Sequence, residues 1–161
     1  MKISYSGSQG TGKTISAYSE VIHLKKRNPE KSICVLNELI RECPFPINKK
    51  STCNTQLWTV TSQITKEIEL YEKYDVVVCD RTVIDALAYS IYYKFDDVVK
   101  NIQRLCFEWV DTYDIIYFKT THTNPYNHND GVRDTDEQAR MEIEEIMLDL
   151  YRQSEKDVIL I

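Results

Sequence analysis

Nothing in this sequence approaches the roughly 20-residue apolar run needed to cross a bilayer, and no positively charged leader with an apolar core opens it. The cytoplasm is therefore the expected compartment. The five cysteines, Cys34, Cys43, Cys53, Cys79 and Cys106, are odd in number, widely spread and without a C-x-x-C pair. That pattern excludes a disulfide framework or cysteine zinc site and reads as reduced thiols, with Cys34 and Cys79 as small hydrophobes in strand-like runs. Basic residues are outnumbered, 20 against 25 acidic, for a formal net charge of −5. Gripping nucleic acid by neutralising many phosphates needs the opposite balance, so nucleic-acid partners are not expected, whereas a small anion needs only a few cations. No internal repeat or low-complexity tract is present.

What the chain does have is size and alternation. With 161 residues and 42% of positions apolar, it reads as one domain over 1–161 with room for a real core. Strands are predicted at 1–6, 32–37, 75–79, 114–118 and 157–161, the central ones β-branched and nearly continuous in apolar character. Helices are predicted at 13–27, 55–73, from Thr82 onward, at 97–111 and at 134–152. In the second, Leu57, Val60, Ile64, Ile68 and Tyr71 recur at helical spacing. Strands alternating with helices indicate a parallel α/β sheet. Two longer irregular stretches, 41–54 and 120–133, fall at the carboxyl ends of strands, where such a sheet places its ligands.

Glycine is scarce, four residues in all, yet three of them sit in "GSQGTGKT". From Gly7 to Thr14 this matches G-x-x-x-x-G-K-[ST], with a strand before it and a helix after. Backbone N–H groups of Gly7, Ser8, Gln9, Gly10, Thr11 and Gly12 turn around an anion at the positive end of the helix. Lys13 reaches the β and γ phosphates, and the Thr14 hydroxyl ligates Mg²⁺.

Carboxylates and arginines cluster at the other strand ends. Asp80 closes "VVVCD", where it holds Mg²⁺ through water opposite Thr14 or caps the following helix. Glu38 follows the second strand as a proton acceptor for an attacking hydroxyl or as an ordinary solvent-facing residue. Arg41 holds an acceptor or pairs with a carboxylate. Arg81, Asp85 and Tyr89, each a helical turn apart on one face, line an acceptor pocket, or Arg81 and Asp85 pair with each other. Arg133 and Arg140, two turns apart, read as lid residues over about 120–140 that close on the phosphates, with Gly131 as a joint, or else as surface pairs. His122 and His128 read as loop residues. The eleven tyrosines show no clear stacking platform, and Tyr92 with Tyr93 leaves a homodimer contact open.

These blocks, with "NELIRECPFPIN", "TQLWTVTSQITKEIE", "VVVCDRTVIDALAY" and "DGVRDTDEQAR", resemble the P-loop kinases related to the nicotinamide riboside kinase domain. That branch is described as AAA-type ATPase or kinase-like in phage genomes. More distantly, the chain resembles the deoxynucleoside and thymidylate kinases. The resemblance implies a P-loop three-layer sandwich with a five-stranded parallel sheet in the order 2-3-1-4-5, ATP and Mg²⁺ as cofactors, and a closing lid. It implies a nucleoside, nucleotide or ribosyl acceptor near Glu38, Arg41, Arg81 and a 41–54 acceptor loop. The group usually places a loop after the fifth strand against adenine, and "DVILI" leaves the nucleobase preference open. Alternatives are a nucleotide-driven switch ATPase acting on a protein or nucleic acid, a polynucleotide 5′-kinase, and an inactive nucleotide-binding protein.

Overall fold

The β-branched runs lie side by side in one parallel sheet. The computed structural model describes residues 1–122 and 136–161. Its strands β1 (Lys2–Ser6), β2 (Ile33–Leu36), β3 (Val76–Asp80), β4 (Ile115–Phe118) and β5 (Ile159–Leu160) are ordered β2-β3-β1-β4-β5. Helices α1 (Lys13–Arg27), α2 (Cys53–Tyr71), α3 (Val83–Tyr92), α4 (Asp96–Val110) and α5 (Glu137–Gln153) complete an α/β three-layer sandwich in the expected order.

Alternation along each strand divides the core. Ile3, Tyr5, Val76 and Val78 pack with Ala17, Val21 and Leu24 of α1 on one face. Val77, Cys79, Ile116 and Phe118 pack on the other face with residues of the remaining helices, among them Val60, Leu87, Ile102 and Met147. Both faces are therefore covered, which is why the strands read as unbroken apolar runs.

Three local expectations change. The last strand is the exposed two-residue β5, paired only with β4 through Tyr117↔Ile159 and Phe118↔Leu160. The 41–54 stretch is preceded and punctuated by short 3-10 turns at Leu39–Glu42 and Asn48–Lys50, and α2 starts at Cys53 because Thr52 and Thr55 form a capping box. The inward stripe of α2 is polar: Gln56, Val60, Gln63 and Glu67 are buried, whereas Leu57, Ile68 and Tyr71 are about half exposed. The spacing was helical, but the buried phase belongs to side chains that serve the interior polar network.

Candidate active site

The helix after β1 begins without a side-chain cap. Gly12, in the left-handed region at φ 77°, precedes Lys13, and no acidic residue stands in the first turn. By contrast α2, α3 and α5 are capped by Thr52, Thr82 and Asp136. The first N–H groups of α1 are thus left for an external acceptor, which suits an anion. Gly7 is required for a second reason: at φ 137°, a Cβ there would lie 2.4 Å from the Lys119 carbonyl oxygen.

Lys13 is 5% exposed and its ammonium donates to the Ser8 carbonyl and, at 3.3 Å, to Thr11 Oγ1. Burial, reinforced by the nearby Arg81 charge, pushes its pKa down to about 7. Ser8 Oγ is buried with no hydrogen-bond partner among the described residues. A loop that folds its lysine back on its own carbonyl is holding a charge that a phosphate would satisfy better.

Asp80 ends β3 beside this loop. Its Oδ2 accepts from Thr14 Oγ1 at 2.5 Å, and burial raises its pKa against that bond and the charges of Arg81 and Lys13. Thr82, not Asp80, caps α3. Among the described residues no group of three or more His, Cys, Asp or Glu side chains stands ready to hold a metal. One hydroxyl and one carboxylate nevertheless fit Mg²⁺, a hard cation that takes its other ligands from water and phosphates.

Glu38 meets two arginines. Its Oε1 accepts from Arg81 at 2.6 Å and its Oε2 from Arg41 at 2.8 Å. Burial alone would raise its pKa, but Arg81, Lys13 and Arg41 outweigh burial and bring it down to about 2. Arg81 has φ 102°, a conformation rare outside glycine and costly for a long side chain. Asp85 holds that guanidinium at 3.3 Å. The other oxygen of Asp85 is occupied by Ser6 Oγ at 2.8 Å and by the Thr82 N–H and hydroxyl at 3.0 and 2.9 Å. Asp85 is therefore an anchor that orients Arg81, with little capacity left for a ligand.

Gln9 ties the loop to two helices. Its Oε1 accepts from Tyr89 OH at 2.7 Å, and its carbonyl accepts from Arg140 Nε at 3.0 Å. Arg140 sits in the first turn of α5, 2% exposed and already against the phosphate loop. Arg133 and His128 lie outside the described residues, as does most of the expected lid.

A cleft open to solvent runs from this point between α2 and α3. Gln56, Gln63, Tyr89, Tyr92 and Tyr93 line it, and Glu38 and Arg81 stand both at its inner end and at the edge of the phosphate cradle. Tyr93 stacks on Tyr89 with ring centroids 6.4 Å apart and meets Tyr92 edge-on at 5.2 Å. An aromatic wall thus exists where none was read from the sequence, and Tyr92 and Tyr93 contribute to the cleft. The signal available was the i, i+4 spacing of Tyr89 and Tyr93 on one helix face.

A parallel sheet in this order, carrying its phosphate cradle directly after the first strand, is a P-loop nucleotide-binding fold. Within that class, the family described as "AAA domain" matches residues 2–161, and the chain belongs to it. No curated protein matches the chain. Among solved structures it is similar to thymidylate kinase from Ehrlichia chaffeensis, at 19% identity and TM-score 0.69, over 100% of this chain and 91% of that one. It is also similar to deoxyadenosine kinase from M. mycoides with bound dATP, at 16% identity and TM-score 0.66, over 100% of this chain and 90% of that one. At such identities the likeness is one of fold. Among the described residues no helix is long and apolar enough to cross a membrane.

Proposed function

We propose that this chain transfers the γ-phosphoryl group of ATP to a hydroxyl of a nucleoside-like or ribosyl acceptor. One observation carries the reading: the cleft and the phosphate cradle share Glu38 and Arg81 as a common wall. A hydroxyl compound seated in the cleft would therefore present its reactive oxygen where the cradle presents a terminal phosphate. The kinases of similar fold are named for nucleoside and nucleotide substrates, which agrees with this choice.

Charge favours a neutral acceptor. Among the described residues lining the cleft, Arg41 and Arg81 are matched by Glu38 and Asp85. A monophosphate would have to break one of these pairs, whereas an alcohol can donate to Glu38 with both intact. Gln56, buried on the cleft, and the tyrosine wall suit a planar heterocycle with polar edges.

In this mechanism Lys13 and the loop N–H groups of Gly7–Thr14 hold the polyphosphate, and Arg140 braces the loop through Gln9. Thr14 and Asp80 would hold Mg²⁺, which when bound neutralises charge on the phosphate oxygens. Glu38, anionic at working pH, orients the hydroxyl and receives its proton late, because a loose transition state needs little nucleophile activation. Arg133 is assigned to the transferring group on its sequence position alone. Direct in-line transfer requires no enzyme nucleophile.

The test is ADP release from ATP with Mg²⁺ across nucleosides, nucleoside monophosphates, nicotinamide riboside and 5′-hydroxyl oligonucleotides. Turnover confined to neutral nucleosides or ribosides is expected. Lys13→Ala should abolish it, and Glu38→Gln should lower it about a hundredfold or more while leaving ATP affinity nearly unchanged. Acceptor-independent hydrolysis stimulated by a protein or by DNA would instead mark a switch ATPase.

A further inference from the structure

In-line displacement imposes a direction. The attacking oxygen and the leaving oxygen lie roughly in line across the transferring phosphorus. Glu38 and Asp80 belong to the β2 and β3 side of β1, so an acceptor entering there drives the leaving diphosphate toward β4. The residue waiting at the end of β4 is Lys119.

Lys119 is fastened to the phosphate loop at both ends. Its N–H donates to the Ser6 carbonyl at 2.9 Å, and its own carbonyl fills the space a Gly7 side chain would need. Its ammonium reaches across the first turn of α1, donating to Ser16 Oγ at 2.8 Å, and would lie 3.9 Å from a methyl placed on Gly12. Partial burial lowers its pKa. No carboxylate forms a salt bridge with it among the described residues. A half-buried ammonium bonded to a neutral hydroxyl, beside an uncapped helix start, is short of negative charge.

We propose that Lys119 is a donor-nucleotide contact, its ammonium binding the phosphates of ATP that depart as ADP, on the side of the loop opposite the acceptor. This rests on the kinase reading above and extends it: Lys13 holds the end that is transferred and Lys119 the end that leaves. The interaction persists after transfer, so ADP measures it directly.

Titration of the full chain with a fluorescent ADP analogue at neutral pH tests this, with thermal unfolding of each variant as a fold control. Lys119→Met should weaken ADP binding roughly ten- to hundredfold, as expected for one hydrogen bond to a charged group. Lys119→Arg should restore most of the loss. Ser16→Ala removes the internal partner but keeps the ammonium, so ADP affinity should be unchanged or tighter. If Lys119→Met binds ADP like the wild type, the proposal is wrong. If Ser16→Ala reproduces the loss, Lys119 is a brace for α1 and the proposal is equally wrong. Failure of the wild type to bind ADP at all would overturn the nucleotide reading itself. Binding of ADP with the expected variant pattern, but without acceptor-dependent turnover, would sink the kinase reading and leave the Lys119 contact standing.

Discussion

A lysine whose pKa is pushed down to about 7 by burial cannot be a passive anchor at slightly alkaline pH. In the nucleotide-free chain Lys13 is largely neutral at pH 8, and a bound polyphosphate favours its charged form, so binding must draw in a proton. Net proton uptake is expected at pH 8, and much less at pH 6. Calorimetric titration with ADP in two buffers of different ionisation enthalpy measures it, and Lys13→Met should remove it. Equal heats in both buffers for the wild type would show that Lys13 is already charged. Glu38 has the opposite linkage. Its folded pKa of about 2 lies below the usual 4.5, so its pairing with Arg81 stabilises the fold above that value and ceases to do so as pH falls toward 2. At this scale the sequence was most informative for Gly7–Thr14, because the motif is local and its spacing is the geometry. It was silent on Lys119 and on the side chain of Gln9, whose partners are brought to them only by folding. Arg81 was visible as a charge next to a strand end, but its left-handed backbone was not.

At the scale of elements, α2 shows why a correct helix can carry a misread face. Its buried Glu67 accepts from Lys2 Nζ at 2.8 Å, Trp109 Nε1 at 2.8 Å, Gln63 Nε2 at 2.7 Å and Tyr113 OH. Lys2 also lies over the rings of Trp109 and Tyr113, at 4.7 and 4.4 Å. One carboxylate therefore ties α2 to the start of β1 and the end of α4. Gln63 continues the line to the Arg81 carbonyl at 3.4 Å. Apolar periodicity cannot find such a stripe, since polar residues are buried only when several partners converge, and all of those partners but Gln63 lie 42 to 65 positions away. Glu67→Ala should cost about 3–5 kcal/mol in chemical denaturation, because it leaves a buried ammonium and three further donors without their acceptor. Adding Lys2→Met should recover only part of the loss, since Trp109 Nε1 and Tyr113 OH still lose their acceptor. A single-variant loss below about 1 kcal/mol would mean that the network contributes little beyond filling space.

For the whole molecule, strand order was legible through resemblance and layer count through alternation, while the cleft was legible only as a pocket near Glu38, Arg41, Arg81, Asp85 and the 41–54 loop, without its α2 wall or its shape. A sheet order follows from connection rules that many sequences obey. A cleft needs the relative placement of α2, α3 and the 3-10 turns, which no single segment encodes. Loop, cleft and α5 are joined in this fold by Gln9, which touches Tyr89 on α3 and Arg140 on α5. Filling the loop should therefore strengthen more than the loop. By mass action alone, ADP at a hundred times its Kd adds about 2.7 kcal/mol. For a chain of this size that corresponds to a rise in Tm of roughly 5–10 °C. Gln9→Ala keeps the backbone carbonyl for Arg140 but severs the Tyr89 bond. If the loop communicates with the cleft through that side chain, acceptor and ADP should stabilise the wild type by more than the sum of their separate shifts. In Gln9→Ala the two shifts should become additive. Scanning calorimetry with each ligand alone and both together gives the comparison, and additive shifts in the wild type would show that cradle and cleft fill independently.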